Sequence, residues 1–190
     1  MTNLRNKQSY ELLASQGFYD GTIVVDKFGE NPAIATTTDP EDLWEFGGEY
    51  NYTANAGATH YVSSSSAADT QLISFGTITA DSDGNWNLET FTQNVAGQVK
   101  TELLPPSGDN IVRVWRMANE GDAGEDLAGT LYCYEDDTVT DGKPDTDSKV
   151  RAVIDNGNNQ TLMLLYTIPT GYVGFLYRGE VGIKFDAGPS

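Results

Sequence analysis

The chain has 190 residues, of which 28 are acidic and 11 basic, giving a formal net charge of −17 and a pI near 4.1. Such a field repels nucleic acid and anionic membrane surfaces. One cysteine, Cys133, excludes an internal disulfide framework, and one histidine, His60, removes most zinc sites and most acid-base pairs.

In chain order, Leu4 to Gln16 has the spacing of a short amphipathic helix, stopped at Gly17. At this length a helix holds only when it packs on something. Thr22–Asp26 reads as a strand, and Lys27–Tyr50 follows as an extended tether. The Asn31–Pro32 and Asp39–Pro40 steps push Asn31 and Asp39 out of the α region. Asp42, Leu43 and Trp44 give one turn before Gly47–Gly48 breaks the chain again, and this turn would set an indole against a neighbouring surface. The expected division is therefore an arm over 1–55, whose contact residues are Phe28, Asn31, Pro32, Leu43, Trp44 and Tyr50, and a folded domain over 56–190.

From His60 onward, short apolar or alternating runs are separated by turn residues: His60–Ser64, Leu72–Thr79, Trp86–Thr92, Gln98–Leu103, Ile111–Met117, Leu127–Tyr134, Lys149–Asp155, Thr161–Ile168 and Val173–Tyr177. Asp83-Gly84-Asn85 is a hairpin signal. In Leu127–Tyr134 the alternation puts Leu127, Leu131 and Cys133 on a core face and Thr130, Tyr132 and Tyr134 on the other. Thr161–Ile168 is apolar on both sides and is expected to be the central core strand. The fold class this predicts is all-β, an antiparallel, jelly-roll-like β-sandwich with an extended N-terminal arm containing a short helix.

Few of these runs carry chemistry. The stretch from Glu135 to Asp147 partly fits a calcium loop: Asp137, Asp141, Gly142 and Asp145 match, whereas Val139 stands at a ligand position and Ser148 replaces the closing Glu. A solvated acidic hairpin tip is the competing reading, and no cofactor other than calcium is indicated. The alternating oxygens of Asp81, Asp83, Asn85, Asn87 and Glu89 are accounted for by the hairpin. The serine run 63–66 has no G-x-S-x-G around it, and no phosphate-cradling glycine motif occurs. His60, at the start of a strand, is expected to face solvent or satisfy a backbone carbonyl. Cys133 reads as a small core hydrophobe.

Several blocks together carry a resemblance. These are Val25–Pro32, Thr38–Trp44 with Gly47–Tyr50, Val62–Thr70, Ile111–Arg116 followed by Ala128–Leu131, and Asn159–Met163 with Tyr166–Gly171. In this order the chain resembles a family of virion structural proteins of tailed phages, many of them marine. The resemblance implies a non-enzymatic particle component, and which part of the virion such proteins occupy does not follow from it. The first expectation is a capsid decoration or cement protein on the capsid surface, made in the host cytoplasm, that binds between subunits of the major capsid protein as a homo-oligomer, with a trimer as the guess. The alternative is a head or tail fibre module binding a host receptor or glycan. Neither nucleic acid nor membrane is expected as a partner.

Overall fold

A computed structural model of the chain describes residues 23–34, 39–121, 126–176 and 178–183. Its strands are β1 (His60–Ser64), β2 (Leu72–Ala80), β3 (Trp86–Asn94), β4 (Thr101–Glu102), β5 (Asn110–Asn119), β6 (Leu131–Glu135), β7 (Val139–Thr140), β8 (Lys143–Pro144) and β9 (Val150–Ile154). Every pairing between them is antiparallel. They form a four-stranded sheet in the order β4-β1-β6-β9, a three-stranded sheet in the order β3-β2-β5, and the small β7–β8 hairpin. The protein is all-β, and among the described residues the helical content is a single 3-10 turn, Asp147–Lys149.

The Asp83-Gly84-Asn85 signal closes the longest hairpin, in which β2 and β3 pair over nine positions from Leu72↔Asn94 to Ala80↔Trp86. Gly84 sits at φ +81°, where a side chain would be strained. β2 also pairs with β5, with register shifts after Gly76 and after Ile78. The residues skipped at these shifts, Trp115 and Val112, lie on β5, so Ile111, Val114 and Met117, three apart, all turn to the main core, while plain alternation sorts the residues of β2. Ile73 and Phe75 enter the main core, whereas Ile78 and Ala80 pack on the other side with Val112, Trp86, Leu88 and Trp115. At Gly76 a Cβ would meet the Trp115 ring at 2.6 Å, so the indole lies directly on the strand backbone.

The main core draws on both large sheets: Val62, Leu131, Cys133, Ala152 and Ile154 from one, and Ile73, Phe75, Ile111, Val114 and Met117 from the other. Leu127, Leu131 and Cys133 face it, as the alternation predicted. Tyr134, expected on the wetter face, is also fully buried. Its hydroxyl meets Ser63 Oγ at 2.8 Å, and Ser63 gives its own proton to the Gly142 carbonyl. The β7–β8 hairpin folds back and covers this face.

Four expectations are corrected. Thr161–Ile168 is not the central strand. It is an irregular segment joined to the rest by isolated bridges at Gln160↔Ala118 and Met163↔Trp44, and Leu164 and Ile168 are exposed. Ile23–Asp26 forms no strand, and neither do residues 173–176, which are exposed. Gln98–Leu103 contributes only the two residues of β4. The helix expected over Leu4–Gln16 lies outside the described residues.

Candidate functional site

The tether folds onto its own body. The Trp44 side chain is 3% exposed, its Nε1 donates to the Gly48 carbonyl at 3.2 Å, and its ring meets Tyr50 edge-on at 5.0 Å and Phe46 at 5.3 Å. With Met163, Val150 and Val153 these rings form a second apolar cluster. Tyr50 is 5% exposed. Its amide donates to Asp42 Oδ2 at 2.7 Å and its hydroxyl to the Arg151 carbonyl at 3.0 Å. Leu43 is half-buried, and its carbonyl accepts from the Leu164 amide at 2.8 Å. Asn31 Nδ2 bonds Glu41 Oε2 at 2.7 Å and the Asp42 carbonyl at 3.3 Å, rigidifying the turn rather than reaching outward. Gly29 lies against the backbone of Leu43 and Leu164 so closely that no Cβ fits.

Of the six expected contact residues, the structure brings Leu43, Trp44 and Tyr50 into the body. Only Phe28, at 52% exposure, and Pro32 stand out at the surface. The physical reason is area: an indole and a phenol that find apolar neighbours within the chain each bury on the order of 150–250 Å² there.

Behind Tyr50 lies a polar network that sequence reasoning did not find. Arg151, 5% exposed, points from β9 to Glu135 on the neighbouring strand, with Nη2 to Oε1 at 2.7 Å. Its Nε donates to Thr53 Oγ1 at 2.9 Å, and its Nη1 to the carbonyls of Ser148 (2.7 Å) and Val150 (3.0 Å). Burial works against ionisation of Glu135, but hydrogen bonds from Thr53 and Arg151 and the Arg151 charge hold its carboxyl below the usual range. His60, fully buried, sets Nδ1 3.0 Å from the Ala58 carbonyl, which fixes the ring proton on Nδ1 and leaves Nε2 facing Thr53 Oγ1 at 3.4 Å. Burial lowers its pKa to about 4, so the ring is neutral at pH 7. The backbone-carbonyl alternative for His60 is the one realised, and the solvent-facing one is not. A charged residue within the apolar run Val-Arg-Ala-Val-Ile was the available signal, since a buried guanidinium requires partners.

Above this network Arg113 donates to the Thr53 carbonyl (2.7 Å) and to Thr167 Oγ1 (3.1 Å) and stacks over Tyr52, 4.9 Å from the ring centre. These contacts fasten residues 52–53 and Thr167 onto β5. Lys27 does the same lower down, donating to the Trp115 carbonyl, with its pKa lowered to about 8 by burial and by Arg116.

The acidic hairpin is likewise occupied by its own chain. Asp137 accepts from the Thr146 amide at 2.7 Å, Asp145 from the Thr138 hydroxyl at 2.6 Å, and Asp136 pairs with Lys100. Asp141 takes up the left-handed conformation, φ 49°, at the tip. Among the described residues no group of three or more His, Cys, Asp or Glu is placed to hold a metal ion. Asp69, fully buried, instead accepts from the Ser64 hydroxyl and from the amides of Ala128 and Gly129 at 2.7 and 3.0 Å, which ties the serine loop to the entry of β6. Cys133 is fully buried, and burial pushes its thiol up. An open cleft of about 340 Å³ lies beside Trp44 and Phe46, bounded by Gly47, Gly48, Glu49, Asn51, Asp147 and Ser148.

The C-terminal stretch leaves several apolar side chains uncovered. Ile168, Tyr172, Val173, Phe175, Leu176, Val181 and Ile183 are 48–91% exposed along it. Among the described residues no helix is long and apolar enough to cross a membrane. Comparison with protein-family models, with curated proteins and with solved structures finds no match to this chain.

Proposed function

We propose that this chain is a non-enzymatic virion structural protein of a tailed phage, a capsid decoration or cement protein that binds between major capsid subunits and stabilises the head. The resemblance of the sequence blocks supports it. The observation that carries it is the uncovered apolar surface at both ends of the described chain: Phe28 at 52% exposure, and the row from Ile168 to Ile183, reaching 91% at Leu176. Large apolar side chains left this exposed suit a face that another molecule covers.

In this reading the two large sheets face one another as a sandwich across their shared core. The contacts expected of an arm over 1–55 pass to Phe28 and to the C-terminal row, because Trp44 and Tyr50 are committed to the body. The protein acts as a homo-oligomer on the capsid surface. A fibre module binding a glycan is the second reading, favoured by the half-exposed Tyr52 and by the cleft beside Phe46. Copy number separates the two: quantitative mass spectrometry of purified virions should find this chain in hundreds of copies. A handful of copies per particle would overturn the decoration reading in favour of a fibre.

A further inference from the structure

The exposed C-terminal row has the pattern of a strand without a sheet. From Val173 to Ile183 the odd positions read Val, Phe, Tyr, Gly, Val and Ile and the even ones Gly, Leu, Arg, Glu and Gly, so apart from Leu176 the apolar side chains keep the period of two that a strand requires. The residues described there belong to no sheet.

The same chain offers a sheet edge without a strand. β3, nine residues long, hydrogen-bonds to β2 on one side, and among the described residues no strand pairs its other side. The neighbouring 102–107 stretch reaches only side chains of β3, through Gln93 and Glu89. An open edge of this length is a template for an added strand.

We propose that the row Val173, Phe175, Val181 and Ile183 docks as an added strand along the open edge of β3 in a second copy of this chain. Charge favours this pair of surfaces. Copies that each carry −17 repel one another, so they meet where charge is least. β3 has Glu89 as its one charged residue, and in the row Arg178 is paired with Glu180. Donor and acceptor are different surfaces of one chain, so the contact is head-to-tail and closes into a ring when the rotation permits. The inference rests on the homo-oligomer part of the proposed function and names the segment that makes it.

Sedimentation velocity over a micromolar concentration series tests it on the full chain and on Phe175→Asp/Val181→Asp. These side chains are 87% and 75% exposed, so the substitutions remove no contact within the fold. The full chain is expected to form a closed oligomer, and the double variant to associate on the order of a hundredfold more weakly with an unchanged thermal transition. Hydrogen exchange should show the β3 amides losing protection in the variant. A full chain that stays monomeric, a variant that associates equally well, or β3 protection identical in the two would each overturn the proposal. A monomer that still binds capsids would overturn the proposal and leave the decoration reading intact.

Discussion

Replacing Trp44 with Ala separates the two roles open to this residue, core support and external anchor. The side chain is 3% exposed, packs on Met163, Val150 and Val153, meets two aromatic rings and donates one hydrogen bond to Gly48. Truncating a buried Trp costs about 3–5 kcal/mol through lost burial and the cavity left behind. The surrounding segment has little regular structure to hold a cavity open, so partial collapse places the expected loss near the middle, about 4 kcal/mol. For a chain of this size that lowers the midpoint by about 8–16 °C. Urea unfolding followed by far-UV circular dichroism and calorimetry measures both, with Phe28→Ala, half exposed, as a control expected to stay within about 0.5 kcal/mol. A loss below about 1 kcal/mol for Trp44→Ala would show that residues 41–53 do not belong to the folded body, and the packing argued above for the tether would fail.

Three further sets of substitutions probe the fold. Arg151→Met strands Glu135 and is expected to cost about 3–5 kcal/mol, whereas Arg151→Met with Glu135→Leu should recover much of that; equal losses from single and double variants would contradict a coupled buried pair. His60 is neutral when folded, with a pKa near 4 against 6.5 in the unfolded chain. Its contribution is therefore complete above pH 6.5 and disappears as the pH falls towards 4, a difference of about 3 kcal/mol. Urea midpoints measured across that window should fall more steeply for the native chain than for His60→Gln, and parallel slopes would refute the assignment. At Gly142 an added Cβ would lie 1.8 Å from the Ser64 carbonyl oxygen at φ +77°, while at Gly48, φ +69°, it would meet nothing. Gly48→Ala is thus expected to cost about 1–2 kcal/mol from backbone strain alone, and Gly142→Ala clearly more. Similar unfolding midpoints for these two variants would mean that the β7–β8 hairpin is not seated on β1.

The strands from β1 to β9 were legible where alternation and turn chemistry agreed. Asp83-Gly84-Asn85 between two alternating runs could be little else than the β2–β3 hairpin. Thr161–Ile168 misled because apolar residues on both sides of a run also arise when successive side chains serve different surfaces. Here Met163 joins the Trp44 cluster while Tyr166 meets Trp115 edge-on at 6.1 Å, and no ladder is needed to bury either. The tether misled in the opposite sense, since Trp44 can be read equally as an outward anchor or an inward one until Met163, more than a hundred residues later, is brought beside it. The Arg151–Glu135 pair spans the β7–β8 hairpin, so only the β6–β9 pairing brings the two side chains together. His60 was placed correctly on β1, but its complete burial depends on residues 53–58 closing over the strand end.

The solitary thiol of Cys133, sealed in the main core and held protonated by its surroundings, supplies the chain with its own clock. A thiol reagent can reach it only when the strands part, so the labelling rate in native buffer reports how often the interior opens. Any cysteine placed on the outside for a dye or a cross-link should react alone, with no background from the parent sequence.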